Sequence, residues 1–430
     1  MVEGVIALAF LFLLLAAGLW IGIALALTGL LSLLIFTDYP AGQIMSIQIY
    51  NWNDNFVLAA LPMFILMGQL LFFSKVNRQL YEGLTPLVQF IPGKLLHSNV
   101  LACTLFAAIS GTSTGTLATI GTIAVPELER RGYDRGLMIG SLCGASTLGL
   151  LIPPSMSMII YCVLVQESVG QLFMAGVIPG LVISGLFMCY IAFVAVRHPE
   201  VAPVDRSYSW KEKLKGLAGV VPTAFLIFFV LGGIYLGWST PTEAAAMGCG
   251  GAIILSLINR AINWRVMKKA LIESVYITGM MMLIITGAVF YATSVSYLGF
   301  SAAVADFITS LPVNRYVILL LVGIVYLGLG CLMDGGSMLV LTIPIIYHSM
   351  LALGFDSLWF GVFVVILIEV AQITPPVGFN LFVLSSIAGE DSGKIVRWSI
   401  PFFFLLLLGC VIITIFPDLA LWLPGQMIRR

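Results

Sequence analysis

The chain has 430 residues, and its twenty basic and twenty acidic side chains give a formal net charge of zero. Hydrophobic residues make up 60% and charged residues 9%, against the roughly 25% charged residues of a soluble domain, and the mean hydropathy is +1.09. A soluble fold is excluded, and net neutrality says nothing about partners because membrane proteins segregate charge by side.

Apolar runs separated by polar or Gly/Pro breaks predict ten crossings in chain order. The first stretch, Val2 to Phe36, has no positive n-region and no small-residue cleavage site, so it reads as mature protein and not as a signal peptide. It supplies crossings at roughly 2–17 and 20–36, followed by 56–74, 136–166, 171–196, 217–237, 241–259, 273–296, 358–388 and 398–424. Two further apolar segments, about 96–128 and 315–350, are interrupted by small polar residues: Ser110-Gly111-Thr112-Ser113-Thr114-Gly115 and Asp334-Gly335-Gly336-Ser337. Such runs suit re-entrant hairpins whose turns sit at membrane depth inside protein. Stretches near 75–93, 204–216, 260–270 and 300–312 are amphipathic and are expected along the membrane surface, with simple interfacial loop equally open for 204–216.

Basic residues fall in alternate loops. Lys75, Arg78, Lys94, Arg130, Arg131, Arg135, Arg197 and Arg206 share one side with the later clusters, whereas the loops 37–55, 166–170 and 237–240 carry none. The basic side is cytoplasmic by the positive-inside rule, with both termini outside; Arg315, Arg429 and Arg430 are the exceptions.

Two Pro-Pro pairs reveal an internal repeat. Leu151-Ile152-Pro153-Pro154-Ser155-Met156-Ser157 matches Ile373-Thr374-Pro375-Pro376-Val377-Gly378-Phe379-Asn380 at an offset of 222, and the same offset carries Thr112 onto Asp334. Gly18-Leu19-Trp20-Ile21 likewise recurs at Gly237-Trp238-Ser239-Thr240. The expected fold is an all-α polytopic membrane protein of two repeats, each with five transmembrane helices and one re-entrant hairpin. An odd number of crossings inverts the second copy, so binding is expected at the midplane where broken helices meet. The division is 1–200 for the first repeat, 201–216 for a cytoplasmic linker and 217–430 for the second repeat.

Proline removes a backbone donor and clashes with the preceding turn, so each pair should unwind its helix and free carbonyls and half-helix ends. Oxygen-rich cages of this kind suit Na⁺. One expected sodium site combines Ser110, Thr112 and Ser113 with Gly149, Ile152 and Pro153. The other combines Asp334, Gly335 and Ser337 with Ile373, Thr374, Pro375 and Gly378. Hydroxyls bonding back to their own helix are the ordinary alternative. Asp334 is costly inside a membrane, so it is functional or caps the second arm of its hairpin. Glu369 either orients its break or binds directly, and Asn380 is placed at the site or beside it. Glu243 in Thr240-Pro241-Thr242-Glu243 reads as a helix cap, and His97, His198 and His348 read as structural. The seven cysteines stand singly, with no CxxC, so no disulfide framework or metal site is expected and no cofactor beyond Na⁺ as coupling ion.

Six ordered motifs resemble one family along the whole chain. They are Leu61-Pro62-Met63-Phe64-Ile65-Leu66-Met67-Gly68, the Ser110–Ser113 tip, Ile152-Pro153-Pro154-Ser155, Gln171-Leu172-Phe173-Met174-Ala175-Gly176, Thr240-Pro241-Thr242-Glu243-Ala244-Ala245-Ala246 and Pro375-Pro376-Val377-Gly378. They are similar to the large membrane (M) subunit of TRAP (tripartite ATP-independent periplasmic) transporters. The resemblance implies a multi-pass protein of the bacterial cytoplasmic membrane and a sodium-driven elevator with a scaffold and a transport domain. It also implies two partners, a separate small four-helix membrane subunit (Q type) and a periplasmic substrate-binding protein (P type). The implied substrate is an organic acid of the sialic acid or C4-dicarboxylate class. By analogy its carboxylate meets Ser113, Ser155 or Ser157, with Asp334 between the tips. An acidic Asp334 beside an anion instead holds a sodium or accepts from substrate hydroxyl or amide groups, and the latter weakly favours a polyhydroxylated acid such as sialic acid. Thr114 stands where some members carry Pro. A stand-alone sodium/divalent-anion symporter, needing no binding protein, is the competing reading. An intramembrane enzyme needs a Ser/His, paired-Asp or metal constellation that the spans lack, and a channel sits poorly with hairpins entering from both sides.

Overall fold

The computed structural model describes residues 1–74, 76–203, 208–376 and 378–427; Lys75, Arg206, Val377, Arg429 and Arg430 lie outside the described residues. Among the described residues there are twenty α-helices and no strand. In the first half, α1 (Val2–Ala16) and α2 (Ile21–Phe36) meet at a turn through Gly18, followed by α3 (Ala41–Asn53), α4 (Ala60–Phe73) and α5 (Val76–Leu84). Next come the hairpin α6 (Leu95–Ser110)/α7 (Ser113–Arg130), the interrupted pair α8 (Arg135–Thr147)/α9 (Met156–Val165) and the long α10 (Val169–Arg197).

The second half holds α11 (Trp210–Tyr235), α12 (Pro241–Ile258), α13 (Trp264–Tyr297) and α14 (Phe300–Ser310). A second hairpin, α15 (Arg315–Gly330)/α16 (Gly335–Ala352), precedes a second interrupted pair, α17 (Ser357–Gln372)/α18 (Phe379–Ala388). The chain then runs through α19 (Ser392–Ile415) and α20 (Asp418–Gly425).

Local sequence explains the helix starts. Asp134, Ser168, Asn263, Asp356 and Asp391 each accept a backbone N–H of the first turn they precede, satisfying donors that no helix can satisfy internally. Thr240 and Glu243 form the expected reciprocal cap of α12, and Ser209 and Glu212 repeat it at α11. Gly18 (φ +82°) and Gly237 (φ +69°) close equivalent turns in a conformation that a Cβ would strain.

Among the described residues, seven helical segments are long and apolar enough to cross a membrane: 56–73, α10, α11, α12, α13, α16 and α19. The expected crossings 2–17 and 20–36 are apolar helices of 15 and 16 residues. Three expectations change. The loop 37–55 contains α3, which Gln43, Gln48, Asn51 and Asn53 disguise as a polar connection. Residues 260–270 are no separate surface helix, because α13 takes in everything from Trp264 and runs for 34 residues. At 1.5 Å per residue that is about 51 Å, longer than a hydrocarbon core of about 30 Å, so Arg265, Lys268 and Lys269 can sit beyond it. Similarly, residues 210–216 are the first turns of α11.

The halves pack by exchange. Helix α2 lies on α13 as α4 lies on α12, and α9 lies on α16 as α7 lies on α18. Small residues permit the closest of these contacts: a Cβ on Gly287 would run into the Gly22 carbonyl, and one on Gly22 would come within 2.6 Å of the Leu283 carbonyl.

Candidate functional site

The first tip is built by three residues. Ser110 ends α6, Gly111 turns left-handed (φ +62°), and Thr112 is extended ahead of α7. The Ser110 hydroxyl donates to the Thr112 carbonyl (3.1 Å) and shares a 2.6 Å bond with the Thr116 hydroxyl, which itself reaches the Thr112 carbonyl at 2.8 Å. The tip is therefore closed by its own hydroxyls, whichever ligand it also holds.

This tip is joined to the first interrupted helix. After α8 a single 3-10 turn, Leu148–Leu150, leads into the cis Pro153-Pro154 bond. The Met156 amide donates to the Gly111 carbonyl at 3.3 Å, and a Cβ on Gly111 would approach the Pro154 carbonyl to 2.7 Å. Gly149 lies against the Thr112 carbonyl with no room for a side chain. Ser155 donates to the Leu150 carbonyl and accepts from the Met158 amide at 3.3 Å. Its hydroxyl thus spans the break and caps α9.

The second tip is organised by a carboxylate. Asp334 occupies the N-cap of α16, with one oxygen accepting from the Gly336 amide (3.0 Å) and the other from the Ser337 hydroxyl. The capping role left open by the sequence is thus the one the geometry displays, and Thr112 holds the equivalent N-cap position of α7 without a side-chain cap. Gly330 packs on Ala371 and Gly335 on Ile368, which seats the tip against the last turns of α17. Cys331 donates to the carbonyl of Pro375, whose bond to Pro376 is also cis. Thr374 bonds back to the Val370 carbonyl at 2.7 Å, while Gly378 (φ +31°) precedes α18.

Asn380 hydrogen-bonds between the halves at the site. Asn380 is fully buried, and its amide donates to the Ser113 hydroxyl at 2.6 Å and to the Ser146 hydroxyl at 3.1 Å. Its carbonyl oxygen has no hydrogen-bond partner among the described residues. The Glu369 carboxyl is wholly buried, beside the Leu151 backbone at the first break.

Both tips face one cavity of about 940 Å³, near the upper end of ligand pockets. Of the expected substrate contacts, Ser113, Ser157 and Asp334 line it, whereas Ser155 and Asn380 stand behind the lining. Of the expected sodium ligands, Thr112, Ser113, Asp334 and Gly335 line it. Ser110, Gly149, Ile152, Pro153, Ser337, Ile373, Thr374, Pro375 and Gly378 lie in the tips and breaks behind that surface, and Glu369 is likewise not on it. Sequence reasoning missed the far wall: Leu19, Trp20 and Ile21 from the α1–α2 turn, and Tyr276, Met280 and Leu283 from α13. It also missed Ser146 and Gln372. Gln372, a polar residue in an apolar helix immediately before a break, was the legible one.

The histidines are packed away from this cavity. His97 is buried against the Pro92 carbonyl (2.6 Å), His198 pairs with Glu200 (3.2 Å) and His348 lies edge-on to Tyr347.

Two hairpins and two proline-broken helices around one cavity, within a bundle of membrane-length helices, define a multi-pass transport permease. The family model described as "Tripartite ATP-independent periplasmic transporter, DctM component" matches residues 8–419, and the chain belongs to that family. It is 35% identical over 94% of its length, and 94% of the relative, to the C4-dicarboxylate TRAP transporter large permease protein DctM of Pseudomonas aeruginosa. It is 28% identical to the sialic acid TRAP transporter large permease protein SiaM of Vibrio cholerae, covering 96% of each chain. A longer relative, the isethionate TRAP transporter permease protein DctMQ of Oleidesulfovibrio alaskensis, is 28% identical, with 96% of this chain and 65% of that protein covered. The crystal structure of the Alcanivorax borkumensis YdaH transporter shares the fold at a TM-score of 0.62 and 14% identity, covering 89% of this chain and 87% of that one. The protein is accordingly a multi-pass permease of the bacterial inner membrane and not an enzyme.

Proposed function

We propose that this chain carries a small organic acid inward across the cytoplasmic membrane, driven by sodium and supplied by a periplasmic binding protein. The observation that carries the reading is the single cavity faced by both tips, each tip seated against a proline-broken helix. Oxygen donors dominate these segments, as a Na⁺ cage requires, and helices α7 and α16 begin at the cavity with their positive ends toward an anion. The exchanged packing of α7 with α18 and α9 with α16 supports two inverted repeats, 1–200 and 217–430, joined by the 201–216 linker.

The acids named for the relatives, C4-dicarboxylates and sialic acid, point to a small organic acid. In this reading Ser113, Ser157 and Asp334 meet the substrate or its ion, while Ser155 and Asn380 hold those groups in place. Sodium orders the tips, and the transport domain built from the hairpins and broken helices slides past a scaffold of α2, α4, α12 and α13. The membrane partner in this reading is a small four-helix subunit, for which the longer DctMQ relative gives a covalent precedent in length.

Uptake into proteoliposomes holding this chain and its small subunit tests the reading. Accumulation of labelled acid should need both an inward sodium gradient and the purified binding protein. Accumulation by this chain alone would make it an independent symporter, and accumulation without sodium would remove the coupling.

A further inference from the structure

Charge and polarity are distributed unevenly around the cavity. Its polar lining comes from one side: Thr112, Ser113 and Thr114 of the first tip, Ser157 of α9, Asp334 of the second tip and Gln372 of α17. The remaining wall, from the α1–α2 turn and α13, presents Trp20, Ile21, Met280, Met281, Leu283 and Ile284, with the Tyr276 hydroxyl and the Trp20 indole N–H as its uncharged side-chain polar groups. Among the described lining residues there is no Lys, Arg or His, and Asp334 is the one carboxylate. Part of the polar side is already committed. Ser113 accepts from Asn380, and both Asp334 oxygens accept bonds that cap α16.

We infer that the acid carried by this chain is a monoanion with an apolar body, its carboxylate at the tips and its body against α13 and the α1–α2 turn. This inference rests on the uptake reading above and narrows it. One carboxylate can be met by tip hydroxyls, helix starts and bound sodium. The second carboxylate of a dianion, once the first is held there, faces an apolar wall with no cation, and an unpaired charge is the most expensive group to desolvate. A polyhydroxylated acid would lose water from each hydroxyl with few partners in return. Apolar bodies of varied shape suit this wall, because methionine is unbranched and polarisable and fills irregular gaps. The pattern also weakens the support that Asp334 gave to a polyol substrate, since each of its oxygens already accepts one capping bond.

Calorimetric binding to the purified chain with its small membrane subunit, at saturating sodium, tests this with four probes: phenylacetate, hexanoate, succinate and N-acetylneuraminate. Phenylacetate or hexanoate should bind at least about tenfold more tightly than the other two. Gly279, in the same wall, has nothing within 4 Å of its Cβ position, so Gly279→Lys introduces a cation into this wall and should shift the preference toward succinate by about tenfold. Succinate or N-acetylneuraminate binding the unmodified chain as tightly as the apolar acids would overturn the inference, as would a lack of binding by both apolar acids. Sodium-driven uptake of the same probes, with the purified binding protein present, separates the two claims. Uptake of succinate in preference to the apolar acids sinks only this inference, and no sodium-dependent uptake of any of the four sinks the uptake reading as well.

Discussion

Replacing Asn380 with alanine removes a side chain that hydrogen-bonds the second broken helix to the first tip. The amide makes bonds of 2.6 Å to Ser113 and 3.1 Å to Ser146 in a fully buried setting. A net hydrogen bond contributes about 0.5–1.5 kcal/mol, and pairs inside membrane proteins average about 0.6 kcal/mol with a maximum near 1.7. The two bonds together therefore put Asn380→Ala at about 1–3 kcal/mol. Ser146 keeps its 2.9 Å bond to the Cys143 carbonyl, so the larger share of the loss falls on Ser113. Denaturant unfolding in mixed micelles, run as a double-mutant cycle with Ser113→Ala, isolates that pair, and a coupling of about 1 kcal/mol is expected. The same cycle with Ser146→Ala should give less. Asn380→Ala and Ser113→Ala adding to within about 0.3 kcal/mol would refute a working bond between them.

Thr240→Ala should cost about 1 kcal/mol, because its hydroxyl accepts from the Glu243 amide at 3.3 Å while Glu243 accepts from the Thr240 amide at 2.8 Å; the same unfolding midpoint reads it. Gly287→Ala should destabilise by about 1–3 kcal/mol through overlap with the Gly22 backbone. Gly279→Ala in the same helix, with nothing near its Cβ, should be neutral or stabilise by up to about 1 kcal/mol, and equal effects at the two positions would contradict close packing of α2 on α13. Arg135 bridges Glu129 (2.7 Å), Glu390 (2.9 Å) and the Ala388 carbonyl (2.7 Å). Its side chain is 42% exposed, so Arg135→Ala should cost no more than about 1 kcal/mol, and the loss should shrink as salt rises.

The features easiest to read from the sequence were those that violate a membrane helix. Proline pairs and runs of small hydroxyl residues stand out against Leu, Ile and Val, and they located both tips and both breaks before any coordinates. Glu243 was equally clear, because a Thr-Pro-x-Glu start has a single geometric meaning. Partners across space were not legible. Nothing in Asn380 names Ser113 or Ser146, and the role of Ser155 as a bridge across its own break depends on a path the backbone takes only after unwinding. The apolar wall was hidden for the opposite reason: Met280 and Leu283 look like any lipid-facing residue until α13 is laid beside the tips. Helix α3 was obscured by polar side chains that hydropathy counts as loop.

The central claim is that the tips and broken helices form one site in which sodium and substrate support each other. Equilibrium binding of the transported acid to the purified chain and its small subunit, with sodium or with potassium in its place, addresses it directly. The account predicts affinity about 5–150-fold higher in sodium, the range of ordinary coupling energies, and an equal gain in sodium affinity when the acid is present. The same acid affinity in sodium and potassium would contradict it.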